Sequence, residues 1–302
     1  MAGRSRRVKS ERVRRAILLR EKSLLPRKCR LTRPGGPARQ PDIDALASSS
    51  KSANAPRRKG SQGDRRRKPP TFGERLRHGF RRWLRRAIVA LAILVVLPPL
   101  LALLYRADFI HPVSTLMLGD LATLHGYERD WIDLDAVAPV LIRSVVMSED
   151  GQFCSHNGVD WGALNDVIGD ALEGEQARGA STITMQTAKN LFLWPSRSFI
   201  RKGLEIPLAM WIDLVLPKRR IMEIYLNIAE WGDGIYGIEA ASWIRFGRPA
   251  SELTARQAAL LTVALPNPYE RDPANPGDGM QRLAGIIEGR AQKFAGHADC
   301  LF

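Results

Sequence analysis

VAPVLIRSVVMSEDGQFCSHNG, residues 137–158, sets an apolar helical segment directly against a polar turn. Its first half places Val137, Val140, Leu141, Val145 and Val146 at spacings of three and four, which read as the buried face of a helix. Its second half crowds Glu149, Asp150, Phe153, His156 and glycines at 151 and 158 into a few residues. Glu149 and Asp150 therefore fall at or just past the end of a packed helix. The backbone already carries partial negative charge there, so two carboxylates are poorly placed for stability. An isolated Glu-Asp pair reads as a solvated acidic turn. The sharper reading is a general base with a raised pKa, and it needs support from the rest of the chain.

Downstream of this stretch the pattern is almost entirely helical. Asp135 can cap the helix that runs to about Val146, and Asp160 can cap Trp161 to Leu172, with Leu164, Val167, Ile168 and Leu172 on one face. Ser181 can cap Thr182 to Leu193. Ser198 can cap a longer helix to about Leu216 that Pro217 stops, and Pro207 predicts a kink or break within it. Lys218 to Asn227 reads as a further helix, ended by the glycines at 232, 234 and 237. Thr254 and Gln257 fit a capping box opening Ala258 to Leu265, which Pro266 ends. Alternating strand-like runs are scarce. The expectation is a mainly α, single-core domain over 106–302, roughly 190 residues.

Upstream, composition divides the chain. Residues 1–86 hold 28 Lys and Arg against 6 Asp and Glu, whereas 87–302 hold 18 against 25. Residues 1–70 are too polar and too rich in Arg, Pro, Gly and Ser to bury a core, although 12–25 could form a short helix. No aromatic interleaving or recognition motif points this tail at nucleic acid. Attraction to anionic membrane lipids suits it better. From Ala87 to Tyr105 run nineteen residues without a charge, about 28 Å as a helix, close to a hydrocarbon core. Trp83 and Tyr105 sit at its ends, where amphipathic rings prefer the interface. Pro98-Pro99 should kink it. The arginines at 81, 82, 85 and 86 predict a single-pass inner-membrane anchor over 87–105, with a cytoplasmic tail (1–86) and a periplasmic domain (106–302). Phe109, Ile110, Val113, Leu116, Met117 and Leu118 form an apolar patch that could dip into lipid or pack on its own linker. Cys154 and Cys300 fall where a disulfide is permitted. Their pairing is not legible in the sequence, and Cys154 reads as a small buried residue.

Two helical faces carry further chemistry. Thr182, Gln186, Lys189 and Asn190 share one face, with Ser181 and Thr182 at an N-terminus whose free amides suit an anion. Arg201, Lys202 and Glu205 share another, which alone would be an ordinary ion pair. Together with the opening stretch these residues form a series. Glu149-Asp150-x-x-Phe153-x-x-His156-x-Gly158 comes first. Gly179-x-Ser181-Thr182-Ile183-Thr184 through Gln186 and Lys189-Asn190 is second, and Arg201-Lys202-x-x-Glu205 third. Lys218-x-x-Ile221-x-Glu223-x-Tyr225-Leu226-Asn227, with Gly232, Gly234 and Gly237, is fourth. Ala258 to Leu261, running to Pro266-x-Pro268, is fifth. In this order they resemble the family 51 glycosyltransferases, the peptidoglycan polymerases that use lipid II. The resemblance covers about residues 105–290. The single anchor, and the lack of Ser-x-x-Lys after it, resemble the monofunctional branch without a transpeptidase domain.

The resemblance implies a lysozyme-like, mainly α glycosyltransferase domain that joins lipid II units with inversion into β-1,4-linked strands and releases undecaprenyl diphosphate. It implies Glu149 as base and Glu205 as a second catalytic glutamate. Asp150, Phe153, His156, Ser181, Thr182, Gln186, Lys189, Asn190, Arg197, Arg201 and Lys202 are the implied substrate-binding set, with Lys189 and Arg197 on the phosphates. Glu205 either orients these cations or holds a divalent ion such as Mg²⁺ against the diphosphate. His156 reads as a hydrogen-bonding support for the Glu149 loop rather than a second base. Implied partners are lipid II, the nascent glycan strand, membrane lipids, penicillin-binding transpeptidases and division proteins, with no nucleic acid. Met185 departs from the family's usual glutamine, Pro207 is unusual, and Arg245 stands where an aromatic is frequent. The competing readings are a lytic enzyme of the same fold, which would not need phosphate-directed cations, and a non-enzymatic cell-wall scaffold.

Overall fold

The structure is a computed structural model that describes residues 72–173, 179–196, 198–293 and 295–302. The basic tail, the short helix expected at 12–25 and Arg197 lie outside the described residues. The rest is mainly helical, as the patterning requires. Helix α1 (Phe72–Leu104) is followed by α2 (Thr115–Ala122), α3 (Pro139–Glu149), α4 (Trp161–Leu172), α5 (Ile183–Phe192), α6 (Phe199–Val215), α7 (Lys218–Ile228), α8 (Ile238–Phe246), α9 (Ala255–Ala264) and α10 (Asp278–Lys293). A 3₁₀ turn, Ala295–Leu301, follows α10. A small sheet in the order β1 (Glu128–Arg129), β3 (Ile235–Tyr236), β2 (Glu230–Gly232) closes one side; β1 is parallel to β3 and β2 antiparallel to it. Strands of two or three residues are too short to show alternation, which is why the sequence pattern is silent about them.

The core has two connected parts. Helix α3 is backed by α9, α10 and the Ala295–Leu301 turn, and α5 lies against α6 and α7. Leu141, Val145, Val146, Ile183, Met185, Ile212, Ile221 and Ile224 are fully buried between these helices. The fifth motif, on α9, thus supplies the floor beneath the helix that ends in Glu149. The α9 capping box is present in full around Thr254 and Gln257, and Asp160 caps α4 through Ala163 N at 3.0 Å.

Three local expectations are corrected. Asp135 does not cap α3; it lies in the 3₁₀ turn Leu134–Ala136, and α3 starts at Pro139 with Ala138 extended at ψ 125°. Proline disfavours α geometry in the residue before it, which suits a helix that begins at Pro139. Helix α5 is capped by Thr182 rather than Ser181: Thr182 Oγ1 accepts from Met185 N at 3.1 Å and donates to Gly158 O at 2.6 Å. Pro207 does not break α6, which runs unbroken from Phe199 to Val215. The carbonyl it deprives of a partner belongs to Gly203, an exposed residue that water can reach.

Helix α1 contains one span, Phe80–Leu104, long and apolar enough to cross a membrane, with most of it exposed. The uncharged run is thus part of a longer helix that begins in the basic segment, and Pro98 and Pro99 lie inside it. Trp211 Nε1, on α6, donates to Pro99 O at 3.1 Å. Arg220, on α7 and almost completely buried, donates to Tyr105 O (2.9 Å), Ala107 O (3.0 Å) and Ile110 O (2.6 Å) and also pairs with Glu223. A buried guanidinium is tolerable only when its donors are matched in this way. The apolar patch after the anchor divides: Met117 belongs to the core, while Phe109 and Leu118 are exposed.

Gly158 is the glycine on which the opening loop depends. Its φ is +82°, and a Cβ there would lie 2.6 Å from Ala209 O on α6. Gly158→Ala should therefore lower stability by about 1–3 kcal/mol, read as an earlier midpoint in a denaturant titration. An unchanged midpoint would show that the loop can move off α6 at no cost.

Candidate active site

Glu149 is the last residue of α3, and Asp150 is its C-cap. The two carboxylates have different partners. Asp150 is buried, accepting from Ile183 N at 2.9 Å and facing His156 Nε2 at 2.9 Å. A carboxylate here can only accept, so Nε2 carries the proton. Asp150 therefore ties the end of α3 to the positive start of α5, the favourable end for an anion. Lys218 Nζ donates to His156 O at 2.7 Å and lies 4.7 Å from the Phe153 ring centre, and Phe153 is wholly buried. Asp150, Phe153, His156 and Thr182 thus all have structural contacts within the loop; Asp150 and Thr182 also line the cleft beside Glu149, while Phe153 has no exposed surface. The support role expected of His156 is the one the geometry shows.

Glu149 remains partly open, at a cleft of about 190 Å³ bounded on one side by Ser148 and Glu149 and on the other by Ser181 and Thr182. Its Oε2 accepts from Gln186 Nε2 at 3.0 Å and its Oε1 from Ser148 Oγ at 3.4 Å. Burial pushes the Glu149 carboxyl above the usual carboxylate range; Gln186, Ser148 and nearby Lys189 oppose this, and Asp150 adds to it. Desolvation, not the neighbouring aspartate, is the leading cause. Gln186, expected at the substrate, instead holds the glutamate. Its Oε1 accepts from Tyr225 OH at 3.2 Å. Tyr225 is completely buried, and burial with the two carboxylates drives its phenol well up, so it stays a donor. Tyr225 belongs to the fourth motif, but its place between Ile224 and Leu226 reads as core and gives no sign that it binds Gln186.

Behind Ser181, which lines the cleft, stand cations. Lys202 Nζ donates to Ser181 Oγ at 2.5 Å and to Glu205 Oε2 at 3.0 Å; Arg201 pairs with the other Glu205 oxygen, and its Nε donates to Ser196 O at 2.5 Å. Burial and then Arg201 lower the Lys189 pKa, with Glu149 opposing. Burial, Arg201 and then Lys189 bring Lys202 down to about 8. Arg201 thus acts on both lysines and Lys189 acts on Lys202, with buried Glu205 between Arg201 and Lys202. Such a group is short of negative charge and receptive to an anion. Asn190 is buried on α5, and its backbone carbonyl accepts from Thr115 Oγ1 at 3.2 Å. Arg197 lies outside the described residues.

Among the described residues no group of three or more His, Cys, Asp or Glu side chains is arranged so that it could hold a metal ion. Both Glu205 oxygens already face a cation, and a divalent ion there would meet Arg201 and Lys202 head on. The donor set at Glu205 does not fit a resident metal.

Cys154 and Cys300 are joined by a disulfide across 146 residues of sequence. Cys154 is therefore a crosslink rather than a small buried residue. On the chain-entropy account a closure of this length contributes about 4–5 kcal/mol.

A family model described as Transglycosylase matches residues 117–291. A protein of Mesorhizobium japonicum named "Biosynthetic peptidoglycan transglycosylase" is 61% identical over 227 residues, covering 74% of this chain and 96% of its own. A protein of Rhizobium leguminosarum bv. trifolii with the same name is 59% identical over 224 residues, covering 74% and 96%. One of Brucella suis biovar 1, again with that name, is 60% identical over 222 residues, covering 72% and 99%. With Glu149 held at a cleft beside a set of cations, and with matches of this extent, the chain belongs to the transglycosylase family, glycosyltransferase family 51.

Proposed function

We propose that the chain is a peptidoglycan glycosyltransferase that polymerises lipid II. The observation that carries this reading is the pairing of one raised carboxyl at the cleft with a group of lysine and arginine beside it, reached through Ser181 and close enough for Lys189 to act on Glu149. A sugar hydroxyl is a weak nucleophile at neutral pH. Glu149, once ionised, takes the hydroxyl proton as the oxygen attacks the anomeric carbon of the lipid-linked chain. The bond to the diphosphate breaks as the new glycosidic bond forms. The charge that develops on the leaving diphosphate falls to Lys189, Arg201 and Lys202; Glu205 holds the last two in position, and Ser181 holds Lys202. Displacement by a single external oxygen inverts the α-linked donor to a β product, with no covalent enzyme intermediate.

No step in this scheme passes through a metal, because Glu205 serves the cations. Turnover in EDTA should stay within a few-fold of that in Mg²⁺. The basic tail fits the cytoplasmic side and α1 the bilayer, which leaves the family domain on the periplasmic side. Partners that suit such an enzyme are transpeptidases, which cross-link the strands it makes.

The test is purified full-length protein in detergent, given lipid II and, separately, finished glycan. Polymer from lipid II supports the reading; cleavage of glycan without polymerisation overturns it in favour of a lytic enzyme. The pH profile adds a second test. The base acts when deprotonated, so activity rises with pH through a value above the ordinary carboxylate range. The cations act when protonated, so activity falls as pH passes about 8, where Lys202 loses its proton. Lys202→Arg keeps its charge and should move that alkaline limb upward; a limb still near 8 would assign it to another group.

A further inference from the structure

We propose that the Ala295–Leu301 turn is a clasp that positions the Glu149 carboxylate, acting through the Cys154–Cys300 disulfide and the His297 to Gly151 hydrogen bond. The proposal rests on the role of Glu149 given above and adds a positioning element to it.

The clasp holds the catalytic stretch from two directions. Ala298 and Leu301 are buried, and the turn packs against α3, the helix that ends in Glu149, and against α7, the helix that carries Tyr225. Arg219 of α7 donates to Leu301 O, and the Arg143 guanidinium of α3 lies 5.2 Å from the Phe302 ring centre. On the far side of Glu149, His297 Nδ1 donates to Gly151 O at 3.1 Å, one residue after Asp150, and Cys300 is bonded to Cys154. Residues 149 and 150 thus lie between a backed helix and a loop fastened at two points.

The fastening is specific rather than a matter of general packing. A cavity of about 320 Å³ lies between the turn and the loop, lined by Gly151, Gln152, Cys154, Ser155, Gly296 and His297. Across it run the Cys154–Cys300 bond and the His297 to Gly151 hydrogen bond. The position they secure is a demanding one. Glu149 comes from α3, and the Gln186 amide that meets it at 3.0 Å comes from α5. A loop free to drift by about 1 Å would lose that contact, and misplacements of this size cost on the order of 10²-fold in rate. The ionisable groups facing Glu149 are Asp150, Lys189 and Tyr225. The clasp's hydrogen bond is made to the Gly151 carbonyl, and a rise in the Glu149 pKa on releasing it is the direction expected when the Gln186 contact, which lowers that pKa, is lost.

The experiment uses the full chain in detergent as wild type, as the double variant Cys154→Ser with Cys300→Ser, and as His297→Gln, which keeps the disulfide. Three quantities are read: kcat and KM for lipid II, the acid limb of the kcat profile, and amide hydrogen exchange. In the double variant kcat should fall at least tenfold, with KM within about twofold. The acid limb should move to higher pH, because the amide that lowers the Glu149 pKa is no longer held against it. Exchange should rise in the peptide covering 148–158 while α9 stays protected. His297→Gln should move each quantity the same way by less, and it decides the matter if the double variant does not fold. Unchanged kcat, acid limb and local exchange overturn the proposal. So does a loss of kcat with exchange raised equally in α3, α5 and α9, since that marks a general loss of stability. Wild-type protein that makes no polymer defeats the transferase reading, and the exchange measurement alone then settles whether the clasp holds the loop.

Discussion

Glu149→Gln should reduce kcat on lipid II by about 10²–10⁴-fold, the range for loss of a positioned general base. The glutamine is nearly isosteric, and its carbonyl oxygen can still accept from Gln186 Nε2, so the cleft keeps its shape. What is lost is the ability to take a proton from the attacking hydroxyl. The thermal midpoint should hold or rise, because burial already works against the Glu149 charge and the amide removes that cost. A rate loss without a stability loss separates a chemical role from a structural one. Full polymerisation by this variant would remove Glu149 as the base and favour a different activator of the hydroxyl.

Lys189→Met should lower kcat by about 10²–10³-fold, as expected when one preorganised charge is removed from a developing oxyanion. Methionine keeps most of the aliphatic stem and so most of the packing on α5. The lysine is held below its ordinary pKa chiefly by burial and then by Arg201. The folded protein thus carries this cation at a cost, which the diphosphate offsets when it arrives. The same variant should bind inorganic pyrophosphate at least tenfold more weakly, with little change in unfolding midpoint. Unchanged turnover would move the diphosphate to Arg201 and Lys202 alone.

Much of this site is legible in the sequence because charge on a helical face is a local pattern. Arg201, Lys202 and Glu205 meet as their spacing requires, and Glu149 lies at the helix end where the apolar run stops. The inward or outward direction of a loop side chain is not a local property. Asp150, Phe153 and His156 stand beside Glu149 in sequence yet turn into the protein, because α5, α6 and α7 offer them an amide, a packed wall and a lysine. Gln186 is polar on a face that includes Lys189, and nothing in its own segment says that it points back to α3. Tyr225 is hidden by its apolar neighbours. On the α5 face that carries Thr182, Gln186, Lys189 and Asn190, the first and last are buried and the other two only partly open. The disulfide joins segments 146 residues apart, a separation over which no periodicity can inform.

The contacts that Arg220 and Trp211 make with the backbone of α1 and its following linker have a consequence for how the protein searches for substrate. A domain on a slack stalk would sample many heights and tilts above the lipid surface, and few collisions would present its cleft correctly. Here the mount is stiff: three carbonyls at 105, 107 and 110 are gripped by the helix that also carries Tyr225. The cleft keeps one altitude relative to its own apolar helix. For a substrate tethered to the same sheet of lipid, the encounter then becomes a search in two dimensions, with the vertical coordinate already set.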